Sequence, residues 1–269
     1  MADPAPLTQA ELAAYLARIG LAGASLPRDA DTLARMQRAH MRAIPFENLD
    51  VQRGLVPSLD RQAIFAKLVE RRRGGWCYEQ NGLFGRALAA LGFEVRRVAG
   101  AVLREERGDL GLGTHLALLV TIEGASWLAD AGFGGGLAAP FPLRAMRNEA
   151  HPLPHALDRT ADGWWRVTVV LPSGPLTYDF EERPADEALL ARACHWQATA
   201  PASVFVQSLV VQRRIDGEHR VLRGRTFTVS DARGSVSIPL ASGADFARCL
   251  VESFDLDLPD AGALWERAG

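Results

Sequence analysis

One cysteine of the chain, Cys77, stands where a thiol can become reactive. It follows the segment Arg73-Gly74-Gly75-Trp76 and directly precedes an amphipathic stretch that predicts a helix. The free N–H groups and the positive dipole end of a helix N-terminus favour a thiolate, and the two glycines allow a sharp bend close to the sulfur. On this evidence alone an inert buried cysteine is an equal alternative. A catalytic thiol also needs a base.

Histidine is the commonest general base in enzymes, and the chain has six. Four of them are in contexts that favour a structural or surface role: His40 inside a predicted helix, His151 and His155 beside prolines, and His219 in a polar turn. His195, next to Trp196, stays open as a candidate. His115 differs because it begins an apolar run, 116–120, that predicts a buried strand.

Asp130 is the predicted carboxylate partner of His115. Two strand-like segments flank Glu123-Gly124, which suits a two-residue hairpin turn. If Ile122 pairs with Ala125, Asp130 lies one diagonal from His115 on the same face of the hairpin. A carboxylate at the end of an apolar strand also needs a partner, because an unpaired buried charge is costly. We therefore predict a contact between the two side chains.

Cys77, His115 and Asp130 together predict a catalytic triad. Asp130 would orient the imidazole and stabilise its cationic form, and His115 would take the thiol proton to give a thiolate–imidazolium pair. The chain order Cys, His, Asp is that of papain-like thiol enzymes. Such a thiolate can carry an acyl group, and the N–H of Cys77 at the helix start is one predicted oxyanion-hole donor.

Helices and then strands are predicted to position these residues. In about the first ninety residues, helices are predicted to begin near Thr8, Asp31, Ser58 and Cys77, the first with capping-box spacing and the last ending at Gly92. From Phe93 to about Phe180, short strands are predicted at 95–102, 115–122, 126–130, 164–171 and 176–180, with a turn at 172–175. In about the last ninety residues we predict helices at 186–192 and 244–251 and a β pair at 204–213 and 226–230. The fold class is α+β, with a helical unit (1–92), a β unit (93–184) and a mixed unit (185–269).

Composition and charge argue against several kinds of partner and site. The chain has 269 residues, of which 48% are hydrophobic, and a net charge of −2, so neither nucleic acid nor an anionic membrane is expected as a partner. Neither a signal peptide nor the roughly 18 apolar residues of a membrane helix is visible. Cys77, Cys194 and Cys249 are too scattered for a disulfide framework or a metal site. We expect a reduced, cytosolic protein.

Lys67 is the only lysine, which we attribute to codon usage.

Several sequence blocks together resemble the arylamine N-acetyltransferases. Residues Arg73-Gly74-Gly75-Trp76-Cys77-Tyr78-Glu79-Gln80-Asn81 are similar to the active-site motif of that family, RGG-x-C-[FY]-E-x-N. Further similar blocks follow in the family's order: Ile44-Pro45-Phe46-Glu47-Asn48-Leu49, Thr114-His115-Leu116, Asp130-Ala131-Gly132-Phe133-Gly134 and, more weakly, segments between 196 and 211. The resemblance therefore covers nearly the whole chain.

The resemblance implies both a fold and a reaction. The fold would have a papain-like cysteine-enzyme core, built from an N-terminal helical bundle (1–92), a central β-barrel-like domain (93–184) and a C-terminal α/β lid (185–269). The reaction would be ping-pong transfer of acetyl from acetyl-CoA, through a Cys77 thioester, to arylamines, hydrazines or N-hydroxyarylamines. It implies a cytoplasmic acyltransferase of xenobiotic metabolism that needs no metal.

The resemblance also implies binding residues. Thr114, Phe133 and Gly134 would contact CoA, and the last two lie in the glycine-rich loop 132–136, which can approach an anion closely. Phe46, Phe133 and Phe205 would form aromatic walls for a flat arylamine. Glu47 and Arg73 are expected to form an ion pair that holds the Cys77 loop.

Some alternatives stay open from the sequence. Trp76 and Ala131 depart slightly from the family pattern beside the site, and Cys194 replaces a frequent asparagine in the lid. The main alternative is a related thiol enzyme of the same fold, either a macrocyclic amide synthase or a cysteine hydrolase. A non-catalytic ligand-binding protein is the third. The acceptor amine, the acyl-chain preference and the oligomeric state are not predicted.

Overall fold

The computed structural model describes residues 5–133, 137, 139–149, 153–171, 173–215 and 217–268. The α-helices are Gln9–Arg18 (α1), Ala30–Ala43 (α2), Leu49–Gln52 (α3), Arg61–Phe65 (α4), Cys77–Ala90 (α5), Arg104–Arg107 (α6), Glu187–Thr199 (α7), Val204–Gln207 (α8), Gly243–Phe254 (α9) and Ala261–Arg267 (α10). A π-helical turn, Ala66–Glu70, continues α4, and a 3-10 turn, Gly108–Gly111, follows α6.

The strands form two antiparallel sheets. They are Phe46–Glu47 (β1), Glu94–Val102 (β2), His115–Ile122 (β3), Ala125–Ala129 (β4), Phe141–Pro142 (β5), Met146–Asn148 (β6), His155–Arg159 (β7), Trp165–Leu171 (β8), Gly174–Phe180 (β9), Val210–Ile215 (β10), Glu218–Arg223 (β11), Thr226–Asp231 (β12) and Gly234–Pro239 (β13). The order is β5-β4-β3-β2-β9-β8-β7-β6 in the larger sheet and β1-β10-β11-β12-β13 in the smaller. The chain is thus a mixture of helix and sheet, as predicted. None of the helices in the described ranges is long and apolar enough to cross a membrane.

The N-terminal helices begin where side chains can accept hydrogen bonds from free backbone N–H groups. The predicted capping box is confirmed, since the Thr8 hydroxyl accepts from the Glu11 N–H while the Glu11 carboxylate accepts from the Thr8 N–H at 2.7 Å. Asp29 caps α2, two residues before the predicted start. Helix α5 begins at Cys77 as predicted and ends before Gly92, whose φ of 85° suits glycine.

Helix α5 is the centre of the helical part. Eleven of its fourteen residues are buried. Helices α1 and α2 and strands β2 and β3 cover it through an apolar cluster that includes Tyr15, Met36, Phe84, Val95 and Leu118. Burying each such side chain contributes roughly 1.5–3 kcal/mol. The residue that begins this helix is therefore held on a rigid support.

The larger sheet is curled. Its edge strands, β5 and β6, are joined by residues 143–145 alone, so Pro142 and Met146 are at most about 14 Å apart. Eight strands laid flat would put the two edges roughly 34 Å apart at the usual spacing. The sheet must therefore bend round until its edges approach each other, which agrees with a barrel-like β unit.

The hairpin β3–β4 has the predicted register. Ile122 pairs with Ala125, and Leu118 pairs with Ala129. Both turn residues, Glu123 and Gly124, have positive φ, at 50° and 79°, as a two-residue turn of this kind requires. Because the turn has an even length, residues 115 and 130 lie on the same face.

The predicted C-terminal β pair is partly wrong: 210–213 lies in β10 and 226–230 in β12, but the two strands do not pair with each other. Residues 204–207 form helix α8 and not a strand, because the Ser203 hydroxyl accepts from the Phe205 N–H and starts a helical turn. The predicted partner segment, 226–230, lies in β12, which is separated from β10 by β11. His219, predicted in a polar turn, lies buried on β11 and contacts Gln212.

The smaller sheet joins distant parts of the sequence. Phe46 pairs with Gln212 and Glu47 with Val211, so β1 is an edge strand of the C-terminal sheet. On its other side Phe46 forms a parallel bridge with Gly75. The division of the chain at 92 and 184 stays a prediction, and Pro172 of the predicted 172–175 turn lies outside the described residues.

Candidate active site

The two glycines before Cys77 lie where the surrounding atoms leave no room for a side chain. A Cβ atom on Gly74 would clash with the carbonyl oxygen of Pro45. A Cβ atom on Gly75 would lie 2.7 Å from a carboxylate oxygen of Glu79. The close approach of these groups, and not an unusual φ, is the reason for the glycine pair.

The Cys77 thiol is buried at the start of α5. The residue is 4% exposed, and a Cβ atom on Gly132 would lie 2.7 Å from its Cα. Burial raises the pKa of the Cys77 thiol, and the charge of Asp130 raises it further, whereas hydrogen bonds from the backbone of Leu116 and Tyr78 lower it. The helix start alone therefore does not ionise this thiol, and the proton must pass to a base.

His115 and Asp130 form the predicted pair. The His115 Nε2 atom lies 2.8 Å from Asp130 Oδ2, and the two residues are 1% and 0% exposed. Since Nε2 faces the carboxylate, Nδ1 is the ring nitrogen left to take a proton from Cys77. Gly100 makes room for this ring, because a Cβ there would lie 3.0 Å from the His115 Cβ.

Asp130 accepts four hydrogen bonds. Its Oδ2 also accepts from Tyr178 Oη at 2.9 Å, and its Oδ1 accepts from Asn81 Nδ2 at 2.8 Å and from the Gly132 N–H at 2.9 Å. Burial would raise the pKa of Asp130, but the charge of His115 and these hydrogen bonds outweigh burial and leave the pKa below its ordinary value. Asp130 is therefore ionised at neutral pH.

Sequence reasoning did not single out Tyr178 and Asn81 as site residues. Asn81 lies four residues after Cys77, one helical turn further on, so their spacing puts both on the same face of α5. Its side chain also donates to the Leu116 carbonyl and accepts from the Ala131 N–H, which ties the helix to the hairpin. Tyr178 comes from the distant strand β9, and the alternation of that strand did not indicate its partner.

The predicted aromatic walls lie close to one another. The rings of Phe46 and Phe205 are half-buried, with centroids 6.1 Å apart, and the Phe133 ring lies 5.1 Å from that of His115. Phe46 and Phe133 line one cleft beside Gly132. The other residues that line it are Met41, Ile44, Ala131, Gln212, Arg213 and Arg214.

Of the residues predicted to bind CoA, Thr114 and Phe133 lie in different surroundings. The Thr114 hydroxyl donates to the Gly111 carbonyl at 2.5 Å and accepts from the Val102 N–H at 3.1 Å, so it braces the loop before His115. Phe133 lies in the cleft beside Gly132. Gly134 lies outside the described residues. The roles of these three residues at the acyl donor stay predictions.

A buried ion cluster lies behind the Cys77 turn. The predicted pair is confirmed, with Arg73 Nη2 2.7 Å from Glu47 Oε1. Asp50 lies 3.0 Å from Arg73 and 2.7 Å from Lys67, which also contacts Glu79 at 2.8 Å. Burial disfavours ionised Asp50, but Lys67 and Arg73 outweigh it and lower the pKa of Asp50 to about 2. Burial raises the pKa of Glu79 to about 7 despite Lys67, because three carboxylates share two cations.

His40 supports the same turn from another side. Its Nδ1 lies 2.8 Å from Tyr15 Oη and its Nε2 2.6 Å from Gln80 Oε1. The Gln80 amide in turn donates to the carbonyls of Pro45 and Gly75. Burial lowers the pKa of His40 to about 4, so the ring is neutral and bridges α1 to α5.

The other histidines that the structure describes lie on elements other than the β3–β4 hairpin. His155 is buried on β7, His195 is exposed on α7, and His151 lies outside the described residues. Cys249 is buried with Phe246 and Leu250, as predicted. Cys194 lies in the apolar cluster that contains Cys77. Within the described residues no group of three or more His, Cys, Asp or Glu side chains could hold a metal ion.

Comparisons with known proteins show what the chain is similar to. A family model described as N-acetyltransferase matches residues 29–263. The chain is 39% identical to the arylamine N-acetyltransferase of Mycolicibacterium smegmatis, over 93% of each protein, and 34% identical to that of Escherichia coli, over 92% of this chain and 89% of that protein. The solved structure of the Mycobacterium marinum arylamine N-acetyltransferase in complex with CoA has a TM-score of 0.85 and 33% identity, and covers 96% of this chain and 98% of its own.

Proposed function

Because the chain belongs to the arylamine N-acetyltransferase family, we propose that it transfers an acetyl group from acetyl-CoA, through a thioester on Cys77, to arylamines, hydrazines or N-hydroxyarylamines. The observation that carries this is the buried His115–Asp130 pair, 2.8 Å apart, in a fold that also buries the Cys77 thiol at the start of α5. The solved complex of the M. marinum relative with CoA supports a CoA thioester as donor.

In the first half-reaction the acetyl group moves to the enzyme. His115 takes the Cys77 proton at Nδ1, while ionised Asp130 stabilises the imidazolium through Nε2. The Cys77 sulfur forms a bond to the acetyl carbonyl carbon, and the bond from that carbon to the CoA sulfur breaks. The CoA thiolate leaves with the proton from His115. The Cys77 N–H at the helix N-terminus is the proposed donor to the oxyanion.

In the second half-reaction the acceptor enters the same site. Its nitrogen, or the hydroxylamine oxygen, attacks the Cys77 thioester, and His115 takes the proton that this atom loses. The carbon–sulfur bond breaks, and the Cys77 thiol regains the proton. One base therefore serves both halves of a ping-pong cycle, and His115 is the histidine that contacts Asp130 among the residues that the structure describes.

The aromatic cleft supports a flat acceptor. We assign the acceptor walls to Phe46, Phe133 and Phe205; the Phe46 and Phe205 rings lie 6.1 Å apart, and the Phe133 ring lies 5.1 Å from that of His115. Stacked or edge-on rings favour an aromatic amine over an aliphatic one. For the acyl donor we keep Thr114, Phe133 and Gly134 as proposed contacts.

We propose a separate role for each of three parts of the chain. Residues 1–92 would present the nucleophile and residues 93–184 the base and its carboxylate, in a papain-like core. Residues 185–269 would form a lid, which fits the position of Phe205 against Phe46. A free thiol is required by this chemistry, and a reducing cytoplasm keeps it free.

The alternative thiol enzymes are not favoured. The relatives compared above are named arylamine N-acetyltransferases, so a cysteine hydrolase or a macrocyclic amide synthase has no added support. A hydrolase would release acetate at a rate independent of added arylamine, whereas transfer makes the loss of acetyl from Cys77 depend on the arylamine concentration.

The test is direct acetylation of the thiol. Mixing the protein with acetyl-CoA, without an amine, should add one acetyl group to the Cys77 peptide, measured by mass spectrometry. Adding an arylamine should remove it and yield the acetylated amine. Cys77→Ala should abolish the adduct, while Cys194→Ala, which removes another buried thiol, should retain it. A folded wild-type protein that takes no acetyl group would refute the proposal.

A further inference from the structure

The only lysine of the chain lies buried behind the turn that carries Cys77. The chain has 30 basic residues, and all but Lys67 are arginine. Lys67 is 6% exposed and lies in the π-helical turn Ala66–Glu70. Such turns are rare and occur often at functional sites. A codon bias toward arginine explains the other basic residues but not this exception.

The Lys67 ammonium bridges two carboxylates from different elements. Its Nζ atom lies 2.7 Å from Asp50 Oδ2, and 2.8 and 3.1 Å from the two carboxylate oxygens of Glu79. Burial alone would lower the pKa of Lys67, yet the surrounding carboxylates raise it above its ordinary value. Lys67 therefore stays charged in a site that excludes water.

Glu79 connects Lys67 to the nucleophile. Its Oε2 accepts from the N–H of Trp76, the residue before Cys77, at 3.2 Å. The same oxygen lies where a side chain on Gly75 would be, 2.7 Å from the Cβ position. The Glu79 carboxylate is thus pressed between Lys67 and the turn 75–77, and its position sets the path of the backbone into α5.

Asp50 connects Lys67 to the rest of the fold. It lies on α3 and also contacts Arg53 at 3.2 Å. Arg53 makes two hydrogen bonds of 2.6 Å to Asp260, next to α10. One chain of ion pairs therefore runs from the nucleophile turn to the C-terminal helix, with Lys67 as its innermost link.

We propose that Lys67 is a positioning residue for acyl transfer, whose compact ammonium holds Glu79 against the turn 75–77 and so fixes the Cys77 sulfur relative to His115. The proposal rests on the proposed acyltransferase function. A lysine suits this buried place because its ammonium is smaller than a planar guanidinium and carries its three donors on one rotatable nitrogen.

Removing the Lys67 charge leaves Glu79 without a cation in a buried site. An unpaired buried carboxylate moves toward water, and this movement releases the Trp76 N–H. A small shift of a nucleophile lowers the rate much more than it lowers binding. If Glu79 is neutral from the start, as in Glu79→Gln, the turn keeps an acceptor and needs no lysine.

The test combines Lys67→Met, Lys67→Met/Glu79→Gln and Lys67→Arg. Two rates are measured in each: acetylation of Cys77 by acetyl-CoA, from the release of CoA, and alkylation of Cys77 by iodoacetamide. We expect Lys67→Met to slow acetylation roughly 10- to 100-fold, and the double variant to come within about threefold of the wild type. Lys67→Arg should be folded but slower. Arg97→Met, which breaks the 2.8 Å pair with Glu187 on another element, should stay within about threefold of the wild type.

Thermal unfolding of each variant shows whether a slower rate comes from lost stability of the fold or from a displaced Cys77. Recovery of the acetylation rate in the double variant supports a positioning role for Lys67. Wild-type acetylation by folded Lys67→Met, or a double variant no faster than Lys67→Met, overturns it. If Lys67→Met does not fold, Lys67→Arg decides, since a full rate overturns the proposal and a reduced rate supports it. If the wild type takes no acetyl group, the proposed function fails, while the iodoacetamide rates still test the position of Cys77.

Discussion

Tyr178 donates a hydrogen bond of 2.9 Å to Asp130 Oδ2, the oxygen that also faces His115 Nε2. The two residues come from different strands, β9 and the end of the β3–β4 hairpin. Tyr178, Asp130 and His115 contact one another pairwise, because the Tyr178 ring also lies 4.6 Å from the His115 ring. The carboxylate is thereby aimed at one nitrogen of the imidazole and kept from rotating.

Tyr178→Phe should slow acylation while leaving the fold intact. The ring packing stays, but Asp130 loses one donor to its charged form, and such a bond contributes about 1.5–3 kcal/mol. We expect kcat/KM for acetyl-CoA to fall roughly 10- to 100-fold, measured by steady-state kinetics. Thr177→Val, on the neighbouring half-buried position, is the control and should change the rate little. An unchanged rate in Tyr178→Phe would show that Asp130 does not need this donor.

Gly75→Ala should damage both stability and rate. The added methyl would lie 2.7 Å from the Glu79 carboxylate, so either the turn or Glu79 must shift, at a cost of about 1–3 kcal/mol. Gly262→Ala is the matched control, because it lies in α10 with no atom within 4 Å of the new Cβ. It should be neutral or slightly stabilising. Denaturant unfolding and Cys77 acetylation of both variants test this, and equal behaviour of the two would contradict it.

Asp50 should stabilise the protein above pH 4 and lose this effect in acid. Its pKa falls from 3.8 in the unfolded chain to about 2 in the fold. The stability due to its charge is therefore complete above the unfolded pKa and is lost as the pH falls through the folded pKa. We expect Asp50→Asn to lower the free energy of unfolding by about 2–3 kcal/mol at pH 7, and by much less at pH 2. A difference that does not change between these pH values would refute the assignment.

His40 should make the fold sensitive to mild acid. Burial lowers its pKa from 6.5 to about 4, so the unfolded chain gains this proton first as the pH falls. The contribution is complete above pH 6.5 and is lost progressively toward pH 4, by up to about 3 kcal/mol. The free energy of unfolding of the wild type should fall over this window. His40→Gln, which can keep one hydrogen bond but cannot titrate, should show a shallower slope, and an equal slope would count against His40.

The His115–Asp130 contact could be predicted from the sequence because it is local. Both residues belong to one hairpin, and an even turn fixes which face each side chain takes. The thiol at the head of α5 was predictable for the same reason, since the glycine pair and the helix start are neighbours in the chain. Strand alternation and helix-capping signals thus predict those contacts of the site that join residues close together in the sequence.

The long-range contacts could not be predicted in this way. Tyr178 reaches Asp130 from 48 residues away, and nothing in the alternation of β9 specifies that partner. Strand β13 was missed although Val236 and Ile238 alternate with two serines; all six of its residues are exposed, so no buried face marks it. The role of Lys67 was hidden because its three contacts come from other elements, while its rarity alone suggested codon usage.

The pairing of β1 with both Gly75 and β10 sets an order of events during synthesis. The segment 45–47 and the residues just before Cys77 leave the ribosome early. Gln212, which pairs with Phe46, emerges about 165 residues later. Until then β1 is an open edge, available to other strands. A nascent chain that already contains Cys77, His115 and Asp130 therefore lacks the last support of its nucleophile turn. Reactivity of the thiol should therefore appear only when the final third of the protein has folded.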